Sequence, residues 1–166
     1  MIVYPSGYSA MSRSGTELKR ICEEILPALK TMLEVLRADS VMVRGNSGLS
    51  VAYVLHVLAP ELRFIVARKP HEQRNSHGRM FEPMSDECIN VESYIVLDDT
   101  ICTGDTLKKI HKDVNDECRD APIMVGVMLY GGAGPFVRHR LAAAISYDPV
   151  HDTDYMVPVW IRERPY

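Results

Sequence analysis

What this sequence has little of already excludes several kinds of protein. Its cysteines, Cys22, Cys88, Cys102 and Cys118, form no CxxC pair and no Cys/His cluster at zinc-finger spacing. That removes a structural zinc site and a disulfide scaffold, and leaves free thiols suited to a reducing compartment. No apolar run approaches the roughly 20 residues needed to cross a bilayer. The opening Met1-Ile2-Val3-Tyr4-Pro5 lacks the basic start and apolar stretch of a secretory signal, so a soluble cytoplasmic protein with no membrane contact is expected. Charge of neither sign dominates. A formal net charge of −3 over 166 residues speaks against a general nucleic-acid binder. There is no internal repeat, no low-complexity stretch and no GxxxxGK[ST] phosphate loop. Tryptophan occurs once, at Trp160.

What remains is an ordinary globular composition in a chain of single-domain length, 1–166, long enough to bury a core without staples. Ser14-Gly15-Thr16-Glu17 fits a capping box. Behind it Leu18, Ile21, Cys22, Ile25, Leu29, Met32, Leu33 and Leu36 recur at helical spacing. Pro27 predicts either a kink or the start of a second helix. Val41-Met42-Val43 reads as a short strand, followed by Arg44-Gly45-Asn46-Ser47-Gly48 and a helix from about Leu49 to Leu58. Phe64–Ala67, Tyr94–Leu97 and Ile123–Leu129 read as further strands, and residues 68–90 as irregular. Between the last two strands a helix carries Leu107, Ile110, Val114 and Cys118 on one side.

Strands alternating with helices predict an α/β protein, a parallel twisted sheet with helices on both faces. Ligands of such sheets sit at the carboxyl ends of the strands. Three unusual segments leave from strand ends here: 44–48, 68–79 and 98–106.

The most informative of them is Val96-Leu97-Asp98-Asp99-Thr100-Ile101-Cys102-Thr103-Gly104-Asp105-Thr106-Leu107. A buried strand ends in two adjacent carboxylates, and hydroxyls with a permissive glycine then precede a helix. Backbone N–H groups at a helix start suit a phosphate. Carboxylates do not. They suit sugar hydroxyls or a divalent cation, directly or through its water. One loop therefore offers a phosphate pocket beside a hydroxyl-binding acidic pair, as a ribose 5-phosphate requires.

This segment resembles the phosphoribosyl pyrophosphate (PRPP) signature of type I phosphoribosyltransferases. The resemblance implies that family's fold, with a small hood from the chain ends, about 1–12 and 146–166. It implies transfer of the 5-phosphoribosyl group from PRPP to a nucleobase, with Mg²⁺ and release of pyrophosphate. By the same resemblance Asp98 and Asp99 hold the ribose diol and the metal. Thr100, Thr103, Gly104, Asp105 and Thr106 would grip the 5′-phosphate. Arg44, Gly45, Asn46, Ser47 and Gly48 resemble the family's pyrophosphate loop, with Arg44 and Ser47 adding side-chain donors. A strained, cis-prone peptide at Arg44–Gly45 is implied as well. Members are often homodimers.

The acceptor base stays open. Arg68-Lys69-Pro70-His71-Glu72-Gln73-Arg74-Asn75-Ser76-His77-Gly78-Arg79 sets six potential cations against one acid. It is similar to the catalytic loop of the orotate branch, with Lys69, Arg74 and His77 stabilising the departing pyrophosphate under a closing lid. The tail Trp160-Ile161-Arg162-Glu163-Arg164-Pro165-Tyr166 is similar to the base-stacking segment of xanthine–guanine enzymes, which points to purine salvage, with Trp160 and Ile161 at the base. Against a 6-oxopurine, Cys102 stands where that branch commonly has Asp, and no lysine follows Leu129-Tyr130-Gly131. Two rivals accompany the enzyme reading. One is a PRPP-sensing regulator that binds nucleic acid without catalysis. The other is a phosphosugar hydrolase using Asp98 or Asp99 as nucleophile.

Overall fold

The computed structural model describes residues 14–68, 81–83, 90–99, 105–117, 122–131 and 159–161. Helix α1 runs Gly15–Leu36. Ser14 caps it by accepting the Glu17 N–H at 3.2 Å, the half of the capping box that satisfies an orphan helix donor. Pro27 lies inside this one helix rather than starting a second, and the Thr31 hydroxyl donates to the Pro27 carbonyl at 3.0 Å. The helix ends in a Schellman pattern. Arg37 turns left-handed at φ 54°, and the Ala38 N–H reaches back to the Leu33 carbonyl at 2.9 Å.

Strand β1 is Ser40–Arg44 and passes directly into helix α2, Gly45–Leu58. Strand β2 is Phe64–Ala67, β3 is Phe81–Pro83 and β4 is Ser93–Asp98. Helix α3 is Asp105–Glu117, β5 is Ile123–Leu129 and β6 is Val159–Ile161. They form one sheet in the order β3-β2-β1-β4-β5-β6. β3 pairs antiparallel to β2; every other pairing is parallel. The expected parallel α/β sheet is therefore present. Two strands are additions: β3, inside the stretch read as irregular, and β6, inside the expected hood. Both are edge strands of three residues, too short for periodicity to reveal. Pro83 fits an edge, where a missing N–H breaks no ladder.

Alternation along the strands sorts the core onto two faces. Val41, Val43, Phe64, Val66, Ile95, Leu97 and Met128 pack with Ile21, Ile25, Leu29, Val51 and Leu55 of α1 and α2. Met42, Ile65, Tyr94, Val96, Val127 and Leu129 pack with Leu107, Ile110 and Val114 of α3. Burial on both faces explains why β1 and β4 read as continuous apolar runs. Each fully buried aliphatic side chain contributes about 1.5–3 kcal/mol. The sheet is thus packed on both faces by helices.

Candidate functional site

The connections decide where a site can form. From β1 the chain crosses through α2 to β2 on one side; from β4 it crosses through α3 to β5 on the other. Right-handed crossovers in opposite directions put α2 and α3 on opposite faces. β1 and β4 are neighbours, so the winding reverses between them, and their carboxyl ends are where ligands of such sheets bind. The β1/β4 register pairs Val41 with Ile95 and Met42 with Val96. Continued two residues, it sets Arg44 level with Asp98. The 44–48 and 98–106 segments thus leave from adjacent strand ends. The chain enters 68–79 from the end of β2, whose Ala67 pairs with Arg44.

At the β4 end, Asp98 and Asp99 are both half-buried. The Asp98 carboxylate accepts the Asp99 N–H at 2.9 Å, which fixes its rotamer over the turn. The same peptides are held from β5: the Tyr130 N–H donates to the Asp98 carbonyl at 3.0 Å and the Gly131 N–H to the Asp99 carbonyl at 2.7 Å. A Cβ on Gly131 would collide with that Asp99 carbonyl. Gly131 therefore supports the acidic pair, a role the sequence reading did not assign. Its signal was a glycine directly beyond a buried strand.

At the β1 end, helix α2 starts at Gly45, four residues earlier than the hydrophobic period suggested. Asn46, Ser47 and Gly48 are thus its first turn rather than a free loop. Glycines at both ends of that turn masked it, because they lower helix propensity. Gly45 has φ 64°, the left-handed region that glycine enters without cost. The expected cis peptide is not found: no described peptide bond is cis. Gly48 serves close packing, since a Cβ there would stand 2.9 Å from the Val43 Cβ. The N-cap residue of α2, Arg44, makes no side-chain capping hydrogen bond. The helix's opening N–H groups face the carboxyl end of the sheet, where an anion is favoured by the helix dipole.

The Arg44 side chain meets a partner other than the expected one. It is 6% exposed, and its guanidinium donates to the Asp113 carboxylate of α3 at 3.0 Å. Alternation accounts for this: Arg44 follows Met42 on the α3 face. The turn thus presents backbone, with the Arg44 guanidinium engaged at Asp113.

Thr106 is half-buried at the start of α3, and Asp105 opens that helix. Thr100, Thr103 and Gly104 lie outside the described residues, as do Lys69, Arg74 and His77, and most of the expected hood. Trp160 and Ile161 lie on β6, paired in register with Met128 and Leu129. This is the edge of the main sheet, next to the strand that supports the acidic pair.

Among the described residues no three His, Cys, Asp or Glu converge on a metal position. Two adjacent carboxylates at a strand end suit Mg²⁺, which keeps several waters and shares ligand phosphates, better than an ion needing a closed protein cage. Among the described residues no helix is long and apolar enough to cross a membrane.

With this geometry in view, the likeness to solved structures is informative. The chain is similar to the orotate phosphoribosyltransferase of Francisella tularensis over 90% of its own length and 67% of that chain, with 12% identity and a TM-score of 0.58. It is similar to an adenine phosphoribosyltransferase over 84% of its length and 78% of that chain, with 17% identity and a TM-score of 0.53. No protein-family model matches, and no curated protein matches in sequence. At such identities the shared property is the architecture: the chain has the type I phosphoribosyltransferase fold.

Proposed function

We propose that this protein is a phosphoribosyltransferase that binds PRPP with Mg²⁺ and transfers its phosphoribosyl group to a nucleobase, releasing pyrophosphate. The observation carrying this reading is the juxtaposition, at the reversal of winding, of the Asp98–Asp99 strand end and the glycine-bearing start of α2. A phosphosugar carrying a diol and a pyrophosphate needs both chemistries within its own length. The shared fold supports the reading as well.

In this reading Asp98 and Asp99 accept hydrogen bonds from the ribose 2′- and 3′-hydroxyls and hold Mg²⁺, directly or through its water. Thr100, Thr103, Gly104, Asp105 and Thr106 receive the 5′-phosphate at the start of α3. Gly45, Asn46, Ser47 and Gly48, with the Arg44 backbone, meet the pyrophosphate. The ion, when bound, offsets charge on the leaving pyrophosphate. The C1–oxygen bond to pyrophosphate loosens, a base nitrogen forms the new bond at C1 from the opposite face, the electron pair leaves with pyrophosphate, and the base N–H proton passes to the departing pyrophosphate or to solvent. The protein contributes orientation and fixed charge. Lys69, Arg74 and His77 add positive charge over the leaving group. Trp160 and Ile161 meet the base, a purine or an orotate-like pyrimidine. The expected setting is nucleotide metabolism in the cytoplasm, as a homodimer.

The test is a screen of adenine, guanine, hypoxanthine, xanthine and orotate with PRPP and Mg²⁺, following pyrophosphate release, with PRPP binding measured by calorimetry. Turnover with one class of base is expected. PRPP binding without turnover on any base would favour the PRPP-sensing regulator. No PRPP binding would overturn the reading.

A further inference from the structure

The Arg44–Asp113 pair joins two elements that the ligand must bridge. Arg44 ends β1 and occupies the N-cap position of α2, immediately before the left-handed Gly45. Asp113 lies on α3, the helix that begins at Asp105 within the acidic-motif segment. The guanidinium is nearly buried and the carboxylate 23% exposed, 3.0 Å apart. Taking a cation out of water is costly unless a partner with good geometry compensates, so parting Arg44 from Asp113 is unfavourable and the pair ties the end of β1 to α3. Elsewhere α3 meets the sheet through apolar side chains such as Leu107, Ile110 and Val114. Apolar packing is non-directional and tolerates small sliding; a charge-assisted hydrogen bond fixes distance and orientation.

We propose that Asp113 is a positioning residue: through Arg44 it holds the Arg44–Gly45 turn at a fixed distance from the acidic-pair loop, so that the pyrophosphate side of the site is preformed for a phosphoribosyl pyrophosphate. This rests on the function proposed above. Asp113 touches no ligand. Its effect falls mainly on the α2 entrance: Arg44 sits in that turn, whereas Asp113 lies eight residues beyond the start of α3, which Leu107 and Ile110 anchor in the core, and the acidic pair is separately tied to β5 through the Tyr130 and Gly131 N–H groups. Ligands that reach the α2 entrance should therefore feel the loss of the pair, and ligands that do not should not.

The experiment compares wild type with Asp113→Asn, which preserves shape, and Asp113→Ala. Calorimetry measures binding of PRPP, inorganic pyrophosphate and ribose 5-phosphate, each with Mg²⁺. Both variants should bind PRPP and pyrophosphate roughly tenfold more weakly. Ribose 5-phosphate should change less than about twofold. Asp113→Glu should recover part of the loss. Equal weakening of all three ligands, or of none, would overturn the positioning role. So would an Asp113→Asn protein that is unfolded at the assay temperature, since the pair would then be structural alone. A wild type that binds no PRPP would instead overturn the function proposed above, a different result from a wild type that binds PRPP and variants that show no split.

Discussion

The two ends of the sheet each carry aspartate, and the parts of the residue that tie the fold together differ between them. At the amino end, Asp39 turns both carboxylate oxygens onto its own protein. It accepts the Glu92 N–H at 2.8 Å, the Ser93 N–H at 3.2 Å and the Ser40 hydroxyl at 2.6 Å, and the Ser93 hydroxyl closes onto the Arg37 carbonyl at 3.0 Å. This carboxylate ties the exit of α1 to the entrance of β4. At the carboxyl end, Asp98 accepts the peptide N–H next to it, and its backbone, with that of Asp99, is fixed from β5. There the backbone is held from β5, and both side chains stand half-buried at the strand end. At the amino end the carboxylate itself joins two elements; at the carboxyl end the joining is done by the backbone of the acidic pair.

Breaking the second end should have the largest effect. Asp98→Asn with Asp99→Asn should weaken PRPP binding by roughly a hundredfold or more, because hydrogen bonds to charged groups are worth about 1.5–3 kcal/mol each. The melting temperature should hardly move. Calorimetry beside a thermal melt checks the split, and unchanged affinity would remove the acidic pair from the site.

Gly131→Ala should act on both counts. The added methyl must displace the Asp99 carbonyl, and overpacking of this kind costs about 1–3 kcal/mol. A denaturant midpoint shift accompanied by weaker PRPP binding is expected. A stability loss with normal affinity would show that Asp99 relaxes without consequence.

Asp39→Ala sharpens the contrast from the other side. It should lower stability by about 1–3 kcal/mol, measured in urea, through backbone donors left without their acceptor. PRPP affinity per folded molecule should be unchanged.

The smallest effect belongs to Cys22. It is fully buried beneath α2, its thiol 3.9 Å from the Val51 carbonyl, and burial first, then nearby Glu23, pushes its pKa from 9.0 up to about 12. A thiol raised in the folded state favours folding while neutral. That contribution is complete below pH 9 and declines as pH rises toward about 12. Native protein at pH 8 should therefore resist alkylation at Cys22, and peptide mapping by mass should find it modified only in denaturant.

The sequence by itself determined the pattern of buried strands, the helix periods and the Asp98–Asp99 strand end. Those are local facts: apolar runs need two covered faces, and carboxylates beyond a strand need polar partners. It also marked the Arg44–Gly48 segment, although the glycines there hid the first turn of α2. Tertiary structure alone decided the order of the strands, and so that β1 and β4 are neighbours whose chains wind away in opposite directions. It decided that Arg44 faces α3 and pairs with Asp113, that Gly131 supports Asp99, and that two three-residue segments join the sheet as edges. Each depends on residues far apart in the chain, brought together by strand pairing, and no period within a single segment carries that information.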